Sequence, residues 1–156
     1  MADIGTFPTI RQVINGGKNL PQFTATTAVK AGQVVAIHAT GVSGAVDKSV
    51  KAAGSRSVGV AMYDAGAGAN VAVLGYGTVA IVANADDTTA IDAGGYVETN
   101  DNTVGGTVNE ADVAADGDTI GITHYDIIGI ALDTIAGGGT GRILVCPMTL
   151  VQLNAS

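Results

Sequence analysis

The chain has 156 residues, of which 47% are apolar and 13% are charged, and its formal net charge is −7. This length fits one domain, and the apolar share excludes a disordered chain. Residues 1–56 carry six bases against two acids, whereas residues 57–156 carry one base against twelve acids. That balance disfavours a nucleic-acid partner, because phosphate contacts need clustered lysines and arginines.

Residues 1–28 differ from the rest of the chain, and we predict that they form an extended N-terminal arm. They contain both phenylalanines, Phe7 and Phe23, and two of the three prolines. Terminal segments are poorly ordered unless something holds them in place. The arm therefore either docks on a partner or adds an edge strand to the domain.

Residues 29–156 are predicted to form a single β domain that contains two repeat units, at about 29–82 and 91–150. Each unit has an A-G-x-[VY]-V motif, a variable loop, a [VI]-G-[VI]-A-[ML] motif, a glycine-rich turn and a last strand. The motifs are AGQVV at 31–35 and VGVAM at 58–62, then AGGYV at 93–97 and IGIAL at 128–132. For the last strand, we match Val71–Val73 with Ile143–Val145 by adding two residues to the second turn. Short strands separated by glycine turns predict a small all-β barrel or sandwich built from the two units.

We predict no catalytic, cofactor or metal site. His38 and His124 have no second histidine or cysteine at metal-ligand spacing, and the sequence lacks both G-x-S-x-G and the phosphate-binding G-x-x-x-x-G-K-[ST] motif. The acidic stretch 109–118 leaves a calcium site open, because hard cations bind several carboxylate oxygens. Cys146 lies in an apolar run and is predicted to be a small buried hydrophobe. We expect neither a signal peptide nor a membrane-spanning segment.

The repeated pattern, with its basic lead-in, resembles the capsid decoration (cement) proteins of tailed bacteriophages. The resemblance covers about residues 25–150 and rests on Ala31-Gly32, Val58–Ala61 and Ile128–Ala131. Relatives are often labelled RecA-like recombinases, but a RecA-type ATPase needs the phosphate-binding loop that this sequence lacks. The resemblance implies a β-rich virion protein that is not an enzyme and has no cofactor. Such a protein is made in the host cytoplasm and binds the major capsid protein on the capsid exterior, commonly as a homotrimer.

The resemblance also implies that the N-terminal arm reaches across capsid subunits. The candidate capsid contacts are Phe7, Arg11, Lys18 and Phe23. Two other classes stay open. One is another virion component, such as a head-fibre base or a tail-associated β domain. The other is a small enzyme or carbohydrate-binding module, for which the four tyrosines would be the available aromatic platforms.

Overall fold

The described elements of the computed structural model are all strands and turns, which confirms the predicted all-β fold. The structure describes residues 22–37, 44–49, 56–86, 88–100, 105–111 and 122–153. The strands of these residues are β1 (Gln22–Ala25), β2 (Val34–Ile37), β3 (Ala45–Lys48), β4 (Ser57–Ala61), β5 (Asn70–Leu74), β6 (Thr78–Ala83), β7 (Tyr96–Thr99), β8 (Val108–Glu110), β9 (Ile122–Ala131) and β10 (Thr140–Leu153).

The strands form two five-stranded sheets, one after the other along the chain. Strands β1 to β5 close into a barrel in the order β1-β3-β2-β4-β5, and β5 pairs again with β1. Strands β6 to β10 form a second sheet in the order β6-β10-β9-β7-β8. A parallel bridge from Asn84 to Val108 brings the chain after β6 back to β8. We call residues 22–74 the first half and residues 78–153 the second half.

The two halves have the same strand pairing. In each half the first strand runs antiparallel to the fifth, and the second strand pairs with both the third and the fourth. The parallel contact between the first and third strands also recurs. The glycines of the two A-G motifs donate equivalent hydrogen bonds, from Gly32 N to Ala61 O at 3.0 Å and from Gly94 N to Ala131 O at 2.8 Å. The internal repeat is therefore a repeat of one complete five-stranded unit.

The register of the last strands corrects one detail of the sequence alignment. Matching Val71–Val73 with Ile143–Val145 requires two extra residues in the second turn. The strand pairing instead makes Val73 the equivalent of Ile143. Val73 pairs with Ala61 and Ile143 pairs with Ala131, and these alanines occupy the same position of the repeated motif. The predicted two-residue insertion is therefore wrong. Because side chains alternate along a strand, a shift of two residues preserves the apolar pattern and cannot be detected from it.

The sheets also divide the chain differently from the predicted repeat units. Strand β1 lies within the predicted arm 1–28, yet it pairs with β3 and β5 and completes the first barrel. Strand β6, assigned above to the first unit, is the opening strand of the second sheet. These two strands occupy equivalent positions, but QFTA and TVAIVA share no motif from which this could be predicted. Residues 1–21 of the predicted arm lie outside the described residues.

Each half has an apolar interior built from equivalent positions. The interior of the first half contains Ala25, Val29, Val35, Val46, Ala61, Ala65, Val71 and Val73. The equivalent positions in the second half include Ile91, Val97, Val108, Ala131, Ile135 and Ile143. One pair differs in a compensating way, because Ala65 and Val71 are replaced by Ile135 and Gly141. A Cβ on Gly141 would lie 2.5 Å from Cγ1 of Ile135, so the larger side chain fills the space beside the glycine.

The two halves pack together through the outer face of the first barrel. Val34, Val60 and Leu74 are fully buried, and they belong to the same apolar cluster as the interior of the second half. The main chain adds two hydrogen bonds across this junction. Val34 N donates to Gly106 O and Gly106 N donates to Ser49 O, both at 2.8 Å. The core of the second half therefore extends onto the first barrel.

Candidate interaction surface

Phe23 is the one predicted capsid contact that lies within the described residues. It sits in β1 opposite Val71 of β5 and packs against the interior cluster of the first half. The side chain is only half-buried, so it anchors β1 while leaving apolar surface in solvent. Phe7, Arg11 and Lys18 lie outside the described residues.

Several large apolar side chains of the described residues are exposed. They are Ile37, Tyr63, Tyr76, Tyr96 and Leu132. A single exposed apolar side chain is common and needs no function. Tyr96 differs because it belongs to a row across three strands, in which it pairs with Ile130 and Ile130 pairs with Leu144. Ile130 and Leu144 are half-buried, and we call these three residues the outer row of the second half.

Sequence reasoning missed this outer row, although the repeat contains the signal. Tyr96 occupies the same motif position as Val34, the fourth residue of A-G-x-[VY]-V. That equivalence could have marked Tyr96 as facing the same side of its strand as Val34, but the burial of Val34 depends on how the two halves pack and is not visible in the sequence. As a possible binding residue, Tyr96 stands out in the sequence only as one of four tyrosines that could form an aromatic platform for carbohydrate.

The charge asymmetry follows the division into halves. Residues 22–74 carry four bases and two acids, whereas residues 78–153 carry one base and eleven acids. The base of the second half, Arg142, donates from Nε and Nη2 to the two carboxylate oxygens of Asp133, both at 2.7 Å. Hydrogen bonding from Arg142 holds the pKa of Asp133 below its usual value. The first half is therefore net basic and the second half strongly acidic.

A small polar cluster joins the two halves at Ser49, Ser57 and Asp126. Ser57 donates to Asp126 Oδ2 from its main-chain N at 3.1 Å and from its Oγ at 2.8 Å. Ser49 Oγ lies 2.9 Å from Ser57 Oγ, and both serines are buried. The described contacts of Ser57 are to a hydroxyl and a carboxylate, without the imidazole or amine that activates a serine nucleophile. We therefore interpret the cluster as a structural clamp between the halves.

Replacing Asp126 with alanine should lower the free energy of unfolding by about 1–3 kcal/mol, because two donors of the buried Ser57 lose their acceptor. Urea denaturation measures this change directly. Asp133→Ala is the matched control, since it removes an exposed carboxylate whose ion pair with Arg142 is screened by solvent and should contribute little to stability. Equal losses in the two variants would contradict the role of Asp126 as a clamp.

Two other polar groups have clear structural explanations. The Asp86 carboxylate accepts hydrogen bonds from Thr88 N at 2.8 Å, Thr88 Oγ1 at 2.7 Å and Thr89 N at 3.1 Å. These bonds, with those from Thr88 the largest, lower the pKa of Asp86 to about 2 and stabilise the turn after β6. Cys146 is buried, as predicted, and burial raises the pKa of its thiol. A thiol of this kind is a packing group rather than a nucleophile.

Within the described ranges, no three histidine, cysteine, aspartate or glutamate side chains lie close enough together to hold a metal ion. Of the carboxylates that left calcium open in the sequence, Glu110 lies at the end of β8, whereas Asp112, Asp116 and Asp118 fall outside those ranges. Nor do the described residues include a helix of the length and apolar character needed to cross a bilayer.

No protein-family model matches this sequence, and no curated protein matches it at a significant level.

Proposed function

We propose that this protein is a structural component of a bacteriophage virion, a decoration protein that binds the outer surface of the assembled head and stabilises the capsid. In this role it is not an enzyme and uses no cofactor. Its partner is the major capsid protein, to which it binds as a homotrimer after synthesis in the host cytoplasm. The observation that carries the proposal is the duplicated A-G-x-[VY]-V and [VI]-G-[VI]-A pattern, which resembles that of the cement proteins.

The physical character of the chain supports this role. A capsid under internal pressure is reinforced by added interface area, which needs apolar and charged surface rather than reactive groups. The net basic first half offers the half-exposed Phe23 and is preceded by further bases in residues 1–21. The acidic second half would face solvent, where its charge limits unwanted association.

We expect the purified protein to co-elute with mature, expanded heads and not with unexpanded shells in size-exclusion chromatography with light scattering. Reversing the charges of Arg11 and Lys18 to glutamate should lower the occupancy on heads. The difference from the unchanged protein should shrink as salt rises, because salt at 0.1 M screens exposed charges beyond about 10 Å.

The combined variant Lys30→Glu and Arg56→Glu is a matched control, since it also reverses two charges, both of them exposed and outside residues 1–28. An equal loss in this control would indicate that only the overall charge matters. Unchanged occupancy after reversal of Arg11 and Lys18 would contradict the predicted contact. A protein that ignores heads but binds tails or fibres would instead belong to the other virion components considered above.

A further inference from the structure

One end of the first barrel presents an interior side chain to solvent. Strands β1 and β4 begin at this end and β2 ends there, because β2 is antiparallel to β3 and β4, while β1 is parallel to β3. Ile37, the last residue of β2, pairs with Val46, which belongs to the interior cluster. Directly paired residues share one face of a sheet. Ile37 therefore faces the barrel interior, yet it is 46% exposed.

Two further apolar side chains lie at this end of the barrel. Phe23 near the start of β1 and Val58 near the start of β4 both pack against the interior cluster, and both are half-buried. We call Phe23, Ile37 and Val58 the mouth of the first barrel. Arg56 is next to it in the chain, but its Nη1 donates to Thr149 Oγ1 of the second half at 3.5 Å. The mouth therefore offers apolar side chains rather than a charge.

The equivalent end of the second half is closed. The strand pairing and the repeated motif give Val82, Thr99 and Ile128 as the equivalents of the three mouth residues. None of these three is more than 1% exposed. The open end is therefore not a consequence of the five-stranded unit itself. The residue types run against solvent preference too, since the exposed position holds Ile37 and the buried one holds Thr99.

The chain enters the barrel at the mouth. Gln22 is the first residue of β1 and directly precedes Phe23. Lys18, a candidate capsid contact, lies four residues before Gln22, and four residues of extended chain span at most about 14 Å. A capsid contact at Lys18 therefore keeps this end of the barrel within about that distance of the capsid surface.

We propose that the mouth is the surface of the folded domain that docks on the major capsid protein, and that an apolar side chain of that protein packs against it. This inference rests on the proposed function and adds an apolar contact to the charged contacts of the N-terminal residues. Apolar anchors at the desolvated centre of an interface carry much of its affinity, whereas charges at its rim make binding depend on salt. The two contacts can therefore be distinguished by their response to salt.

Ile37→Glu should raise the Kd for mature heads at least about tenfold. The rise should persist at high salt, whereas the effect of reversing Arg11 and Lys18 should shrink. Ile37→Thr, which introduces the residue found at the closed end, should also raise the Kd without adding a charge. Co-sedimentation of labelled protein with heads measures these values, and a melting curve checks the fold of each variant.

Leu132→Glu is the matched control, because it places the same charge at an apolar residue that is 43% exposed and lies in the second half. Its Kd should equal that of the unchanged protein, and Ile37→Leu should bind equally well. Comparable losses in Leu132→Glu and Ile37→Glu would overturn the proposal, since any added negative charge would then act alike.

Unchanged affinity of both Ile37→Glu and Ile37→Thr for heads that bind the unchanged protein would overturn the docking surface and leave the proposed function standing. Heads that do not bind the unchanged protein would instead overturn the proposed function, and this inference with it. A lower Tm of free Ile37→Glu with equal binding to heads would assign the mouth to the chain's own N-terminal residues, which also overturns the proposal.

Discussion

Alanine at Gly59 should lower the free energy of unfolding by at least about 3 kcal/mol, which corresponds to a fall in Tm of about 6–12 °C. A Cβ at this position would lie 2.2 Å from the carbonyl oxygen of Leu74 and 2.6 Å from Cγ1 of Val73. The first of these atoms belongs to the main chain of β5, which cannot move away without breaking its pairing with β4. Thermal melting followed by circular dichroism measures the effect.

The repeat supplies both a second test and a control for this prediction. Gly129 makes the equivalent close approach in the second half, where a Cβ would lie 2.3 Å from the carbonyl oxygen of Leu144. Gly129→Ala should therefore destabilise the protein to a similar extent. Gly66→Ala should change the stability by no more than about 1 kcal/mol, since no atom lies within 4 Å of its Cβ position. Equal values of Tm for Gly59→Ala and Gly66→Ala would contradict the close approach of β4 and β5.

The interior pair Ile135 and Gly141 should behave as one unit. Ile135→Ala alone should cost about 2–5 kcal/mol by leaving a cavity. Gly141→Val alone should cost about 1–3 kcal/mol, because the new side chain overlaps Ile135. The double variant recreates the pair Ala65 and Val71 of the first half. Its loss should be smaller than the sum of the single losses by at least about 1 kcal/mol.

Urea denaturation of the unchanged protein, the two single variants and the double variant gives this coupling directly. Ile135→Ala combined with Gly66→Ala is the control, because Gly66 lies in open space in the other half and the two effects should add. Additive losses for Ile135 and Gly141 would show that the two positions do not share the same space.

The fold class could be predicted from the sequence because its signals are local. Apolar residues alternate in the V-G-V-A and I-G-I-A motifs, and glycine turns follow each of them, so strands and turns can be recognised without knowing their neighbours. The pairing of the first strand is different, because it depends on distant residues. Phe23 in β1 pairs with Val71 of the neighbouring strand β5, and no feature near Phe23 indicates that partner.

The candidate interaction surface could be predicted only in part, and for a related reason. Val34 and Tyr96 occupy the same place in the same motif, yet one is fully buried and the other is partly exposed. The difference does not arise from the local chain, since both residues face outward from equivalent strands. It arises because the second half covers Val34. Exposure of this kind depends on how the halves pack, which a single-sequence pattern does not specify.

The order in which the strands are made has a consequence for the growing chain. Strand β1 closes the first barrel by pairing with β5, so the barrel has all its strands once residue 74 has left the ribosome. Val34, Val60 and Leu74 then have no cover, because the residues that bury them are synthesised later. At about 5–20 residues per second, the rest of the chain needs several seconds to emerge. During that interval the nascent protein exposes these three apolar side chains, which can associate with other chains on the same polysome. Folding of the second half then buries them.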